Sequence, residues 1–180
     1  MHVEETFAHS DSRGRRVRFE AVYAANYESI LAYARRRTHS CDDAADVVAE
    51  TFLTAWRRLD QVPDNAGARL WLYGVARNIL ANHRRGQRRY LRLGARLRTE
   101  AVTAESIADA AADDRAGMIA AAFNRLRPND QEILALVAVD GLTPNEIAQV
   151  LQCGATTVRV RLHRARTRFA RELKSDGVDV

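Results

Sequence analysis

Leu142-Thr143-Pro144-Asn145-Glu146-Ile147-Ala148-Gln149-Val150-Leu151, followed by the run from Ala155 to Arg171, decides the fold of this chain. It reads as a short capped helix, a tight turn and a long basic helix. That is the order of a helix-turn-helix, whose second helix enters the major groove. Thr143 is placed to cap the first helix, Pro144 suits its first position, and Glu146 completes a T-x-x-E capping box. Ile147, Val150 and Leu151 form the buried stripe of that helix. Gly154 is expected to permit the sharp turn, with Cys153 filling a small buried position in it.

In the second helix Val158, Leu162, Ala165 and Phe169 recur at spacings of four, three and four. At about 100° per residue they fall in one narrow wedge. Opposite that wedge lie Thr156, Val160, His163, Arg164 and Thr167. Arg159 and Arg166 flank this face on one side, Arg161 and Arg168 on the other. With Arg171 these make six arginines, and no acid occurs between Ile147 and Arg171. Such a helix puts its back in a core, its front at base edges and its sides near phosphates. A solvated basic face is the alternative; the capped partner helix and the turn favour DNA binding.

Working outward, the 180-residue chain has room for one domain or two small ones. Its formal charge of +5 understates how unevenly charge is spread. Between Asn65 and Thr99 there are nine arginines and no acid, while acids gather in 42–64 and 100–114. Alternating blocks of this kind imply two nucleic-acid-facing surfaces, each beside a region that avoids phosphate. Cys41 and Cys153 stand alone, with no metal-ligand spacing, so neither a zinc site nor a disulfide is expected. The five histidines are scattered, and no P-loop or nucleophile–base constellation is present, so no cofactor, metal or enzymatic activity is expected. No long apolar run or signal-peptide core occurs, and a soluble cytoplasmic protein without membrane insertion is expected.

Residues 1–17 lack an apolar period and read as a disordered lead-in. A helix follows from Phe19, with Val22, Tyr23, Tyr27, Ile30, Leu31 and Ala34 as its stripe, ending at Arg35-Arg36-Arg37. Ser40 and Asp42-Asp43 start a second helix, with Ala45, Val48, Phe52, Ala55 and Leu59 inward. After the Pro63–Gly67 loop a third helix runs from about Arg69 to Arg85, burying Leu72, Val75, Ala76 and Ile79. Large apolar residues then become scarce, and 89–115 reads as a linker. Met118, Ile119, Ala122, Phe123 and Leu126 make one helix, and Pro128 starts another with Ile133, Leu134, Leu136 and Val137. The expected fold is all-α: two small helical domains, 18–88 and 116–174, joined by a flexible linker, with a tail at 175–180.

Two stretches of the first domain and four of the second carry a family resemblance. The first pair is Asp43-Ala-Ala-Asp46-Val-Val-Ala-Glu50-Thr-Phe52-Leu-Thr-Ala-Trp56-Arg57 and Ala68-Arg-Leu-Trp71-Leu72-Tyr73-Gly-Val-Ala76-Arg77-Asn78-Ile79-Leu80-Ala-Asn82-His83-Arg84-Arg85. The others are Leu126-Arg-Pro128, Asp140-Gly141-Leu142-Thr143, Glu146-Ile147-Ala148 and Thr157-Val158-Arg159-Val160-Arg161-Leu162-His163-Arg164-Ala165-Arg166. In this order the chain resembles an extracytoplasmic-function (ECF) sigma factor of bacterial RNA polymerase, of the sigma-70 family.

The resemblance implies that the first domain corresponds to sigma region 2, which docks on the β′ clamp helices and opens the −10 promoter element. The second corresponds to region 4, which reads the −35 element and contacts the β flap. The linker would thread near the RNA exit path. An anti-sigma factor is a further partner of the family. Residue by residue, Asp46, Glu50, Thr51, Arg57 and Arg58 match the polymerase-binding surface. Asn78 matches a position that holds a base turned out of the −10 duplex, and the loop 64–68, with Asn65, matches the segment shaping its pocket. Capturing an unstacked base requires hydrogen bonds to its edge and an apolar wall. Trp71, Asn78 and Asn82 share a face; Trp71 either walls that pocket or packs the loop as a core residue. Arg77, Arg84 and Arg85 are assigned to phosphates. Thr156 lies on the −35 face, and Arg159, Val160, His163 and Arg164 match the family's −35 contacts. Glycine is frequent in the family at Gln152 and Thr156, and serine or proline at Gly154, which affects the turn and the target sequence. A stand-alone helix-turn-helix regulator and a helical adaptor that binds no DNA are the other function classes; binding to core polymerase and to promoter DNA separates the three.

Overall fold

The computed structural model describes residues 3–94 and 114–175, with side-chain surroundings for 12–85 and 115–175. The chain divides into two compact units, Met1–Glu105 and Ser106–Val180. Among the described residues every regular element is helical.

The first unit contains α1 (Val3–Arg35), α2 (Cys41–Arg57), a short 3₁₀ turn (Leu59–Gln61) and α3 (Ala66–Gly94). Ser40 starts α2 as the acid-rich sequence implies: its hydroxyl accepts the Asp43 N–H at 3.0 Å, and Asp42 and Asp43 sit at the positive end of the helix dipole. All three helices pack on one another. Ile30, Tyr33 and Ala34 of α1 meet Val47, Val48, Phe52 and Ala55 of α2 and Leu72, Tyr73, Ala76 and Leu80 of α3 in a buried core. The Tyr33 and Tyr73 rings meet edge to face at 4.8 Å, a favoured aromatic geometry. In α2 it is Ala44, not Ala45, that turns inward.

Two sequence expectations change here. The lead-in assigned to 1–17 belongs to α1 from Val3 onward. Near the end of that segment Arg15 pairs with Asp60 at 3.0 Å, and just beyond it Arg18 pairs with Asp64 at 3.0 Å, both partners distant in sequence. A stripe built from such ion pairs has no apolar period to detect. At the other end α3 continues to Gly94, past the expected boundary at 88. The rest of the linker, 95–113, and the tail beyond Ser175 lie outside the described residues.

The second unit contains α4 (Asp114–Asn124), α5 (Pro128–Ala138), α6 (Pro144–Leu151) and α7 (Ala155–Ser175). Helix α7 packs against all three others, so its placement depends on each of them. Pro128 and Pro144 occupy first-turn positions, where a missing N–H costs nothing. Leu126, Ile133, Leu136, Leu142, Ile147, Val150, Val158, Leu162 and Ala165 are buried. Phe169 packs with Met118 against Ala122 and Leu173, and its ring meets Phe123 edge to face at 6.1 Å. Ile119, expected inward, is 41% exposed.

Candidate nucleic-acid and polymerase interfaces

The helix-turn-helix is built by local chemistry. The Thr143 hydroxyl accepts the Glu146 N–H at 3.3 Å, and the Glu146 carboxylate accepts the Thr143 N–H at 2.7 Å. This reciprocal box satisfies two of the N–H groups that a helix start leaves open. The turn that follows differs from expectation. Gln152, not Gly154, takes the left-handed conformation, at φ 51°, and its N–H bonds back to α6 at the C-cap. A side chain there costs about 1–2 kcal/mol relative to glycine, because Cβ crowds the following carbonyl. Gly154 instead caps α7 through its carbonyl, which accepts the Val158 N–H at 3.1 Å. A Cβ at Gly154 would meet only the Thr157 hydroxyl, at 3.9 Å, an ordinary contact. Cys153 is half-buried in the turn.

Helix α7 presents the two faces expected of it. Val158, Leu162 and Ala165 are buried, with Phe169 partly so. Thr156, Arg159, Val160, His163, Arg164 and Thr167 are exposed. Val160 is an apolar residue left 45% exposed among cations, a disposition suited to a thymine methyl or a sugar. Two ion pairs hold the far end of the helix. Arg168 donates to Asp130 of α5 at 2.6 Å, and Arg125, in the turn after α4, donates to Glu172 at 2.8 Å. Arg168, which the wheel put near phosphates, is therefore turned toward the protein. Asp130 is nearly buried, so its charge requires that partner.

Asp46, Glu50 and Arg57 of α2, and Arg58 at its C-cap, are exposed. Thr51 is not: it is fully buried, and its hydroxyl donates to the Val47 carbonyl at 2.6 Å. A threonine that satisfies its hydroxyl one turn back can enter a core, so the assignment of Thr51 to a docking surface is corrected. Leu53 and Trp56, which the sequence reading passed over, are 46% and 40% exposed. Asp46, Glu50, Leu53 and Arg57 recur at four, three and four, so they form one stripe with an apolar centre. That spacing, applied to exposed positions, was the signal available for Leu53. His83 of α3 reaches Glu50 at 3.1 Å and ties the stripe to the third helix. Trp56 closes an aromatic row, its ring 5.2 Å from Phe19 and under the Arg15 guanidinium at 6.0 Å.

On α3, Trp71, Asn78 and Asn82 follow one face, opposite the buried Leu72, Tyr73, Ala76 and Leu80. Asn78 and Asn82 are exposed, and Trp71 is half-buried, compatible with either role weighed for it. Arg77 is half-buried, while Arg84 and Arg85 are exposed. Arg85 folds onto its own helix, donating to Asn82 at 2.7 Å and to the Ala81 carbonyl at 3.3 Å. The loop before α3 is tightly fixed. Asn65 is left-handed at φ 54°, and a Cβ on Gly67 would come within 2.8 Å of Pro63 Cβ, closer than packing allows.

Family models match both units: the sigma-70 region 2 model over residues 22–90 and the sigma-70 region 4 model over 116–169. The ECF RNA polymerase sigma factor SigL of Mycobacterium tuberculosis is 32% identical over 162 residues, covering 88% of this chain and 90% of SigL. The chain belongs to the ECF sigma factors of the sigma-70 family. It is thus an RNA polymerase sigma factor, directing transcription initiation, and its helix-turn-helix is the DNA-binding part of region 4. RNA polymerase sigma factor YlaC of Bacillus subtilis is 26% identical, covering 86% of this chain and 91% of that protein. Among solved structures, the sigma factor RpoE of Bartonella quintana has the same fold, with a TM-score of 0.68 and 24% identity, covering 88% of this chain and 98% of its own. Among the described residues no group of histidine, cysteine or carboxylate side chains is disposed to hold a metal, and no helix is long and apolar enough to cross a membrane.

Proposed function

We propose that this sigma factor divides promoter recognition between its two units and docks on polymerase through α2. Thr156, Arg159, Val160, His163 and Arg164 read the −35 element. Asn65, Trp71, Asn78 and Asn82 form the surface that captures a base turned out of the −10 element. Arg77, Arg84 and Arg85 bind its phosphates, with Arg85 released from Asn82 as DNA arrives. Asp46, Glu50, Arg57 and Arg58, with Leu53 at the centre, meet the β′ clamp helices; an apolar centre with a charged rim is how protein interfaces are commonly built. The second unit also meets the β flap. The chain acts in the cytoplasm and not as an enzyme: base capture and polymerase contacts drive melting, without nucleotide hydrolysis by this protein. The observation that carries this reading is α7, whose exposed basic face lies opposite its buried stripe, behind a fully formed capping box.

An anti-sigma factor that covers these surfaces follows from the same assignment. The Bartonella quintana RpoE structure is a complex with the anti-sigma factor NepR, and that likeness supports the existence of such a partner here.

The −35 assignment separates base-reading from phosphate-binding arginines. Arg164→Ala is expected to cost about 1–3 kcal/mol of discrimination at one −35 position, by loss of a bidentate contact to a base edge. Arg166→Ala is expected to weaken binding to all sequences alike and to lower the salt slope by about one. Competition binding of the polymerase holoenzyme to single-base promoter variants at several salt concentrations measures both. Uniform weakening by Arg164→Ala would remove it from the base-reading set.

A further inference from the structure

We propose that Arg18, supported by Arg15, is a positioning residue for −10 recognition: the middle of α1 straps the loop preceding α3 into its base-reading shape. The inference rests on assigning that loop and the α3 face to the −10 element. It adds a residue outside both and outside the stretch matched to region 2, which begins at residue 22.

The strap spans more than forty residues of sequence. One nitrogen of Arg18, Nη2, donates to the Val62 carbonyl at 2.8 Å and to Asp64 Oδ1 at 3.0 Å. Arg15 Nη1 donates to both Asp60 carboxylate oxygens, at 3.1 and 3.0 Å, and its Nη2 lies 3.5 Å from the Trp56 carbonyl. Together they hold Asp60 in the 3₁₀ turn, Val62 where that turn leads into the loop, and Asp64, the residue before Asn65. Val62 is buried as a whole residue, and a backbone carbonyl shielded from water needs a hydrogen-bond partner. Arg18 supplies it. Next comes Pro63, against which Gly67 packs too closely for any Cβ, and then Asn65 in its left-handed conformation. A shift at Val62 or Asp64 would therefore pass directly into the first turn of α3, where Ala68 N–H bonds to the Asn65 carbonyl at 3.2 Å.

The strap also has an electrostatic consequence. Asp60 and Asp64 are exposed carboxylates beside a surface assigned to DNA, where unpaired acids would repel phosphates. Arg15 and Arg18 neutralise them in place. Exposed ion pairs of this kind contribute little to folding stability. Their loss is expected to show in recognition rather than in melting temperature.

The test uses the full chain reconstituted with core polymerase, on a promoter that the wild-type holoenzyme selects from a randomised library and on its single-base variants. For Arg18→Ala, discrimination between bases falls about tenfold at one or more −10 positions. Discrimination across the −35 element, affinity for core polymerase and melting temperature stay at wild-type values. Arg18→Lys, which retains one charged donor, restores part of the loss. Arg16→Ala, which removes an exposed pair with Glu20 on the same helix, leaves all readouts unchanged. Wild-type −10 discrimination in Arg18→Ala overturns the strap, as does an equal loss at every −10 and −35 position accompanied by lower melting. Asn65→Ala in the same panel distinguishes the two levels. If it changes −10 discrimination and Arg18→Ala does not, the strap alone fails. If neither does, the assignment of the loop to the −10 element fails with it.

Discussion

Reversing two charges on α2, Asp46→Lys with Arg57→Glu, is expected to weaken binding to core polymerase by about 3 kcal/mol, or roughly a hundredfold. Both side chains are exposed, so the helix keeps its core of Val47, Val48, Phe52 and Ala55 and circular dichroism stays unchanged. The size of the effect follows from where the charges lie. They bracket Leu53, whose exposed side chain would be desolvated on docking, and charges at such a rim act in a lowered dielectric. Binding of isolated −35 duplex DNA should not change, because α7 carries that surface in the other unit. Titration of labelled core polymerase measures the first effect and DNA retardation the second. Unchanged affinity for polymerase would move the docking surface off α2.

The largest expected stability effect is in the second unit. Ile147→Ala removes a fully buried side chain from the helix that holds α7. Such truncations cost about 2–5 kcal/mol, through lost transfer energy and the cavity left behind. A domain of this size has a total stability of only about 3–9 kcal/mol. The thermal transition of this unit should fall steeply, and −35 recognition should fall with it. Val139→Ala, at a position 59% exposed, should change stability by no more than about 0.5 kcal/mol. Scanning calorimetry of the full chain reads both. If Ile147→Ala behaved like Val139→Ala, α6 would not be the support of the recognition helix.

Legibility in the sequence followed the range of the interactions. The capping box at Thr143 and Glu146, the Ser40 cap and the stripes of α7 were readable because each is fixed within a few residues. The resemblance then identified the family from motifs that lie inside single helices. What escaped was set by distant partners. The helix before Phe19 could not be read because Arg15 and Arg18 find Asp60 and Asp64 across the fold. Arg168 pointed to phosphate on a helical wheel, since nothing near it in sequence shows Asp130. The resemblance places Thr51 on the docking surface, whereas its hydroxyl, bonded to its own helix, is cheap to bury. In the turn, residue type alone points to the glycine at 154, while geometry assigns the left-handed conformation to Gln152. Leu53 and Trp56 lie off the buried stripe of α2, and the helical period marks them as outside the core without marking them as an interface.

Division of promoter recognition between two helical units, acting only with polymerase, is tested most directly by run-off transcription. Core polymerase with this chain, on a library randomised across both promoter elements, should yield transcripts enriched for two separated motifs. Substitutions on α7 should alter the upstream motif alone, and substitutions on the loop and face of α3 the downstream one alone. Transcription without sequence enrichment, or one motif that responds to substitutions in both units, would contradict it.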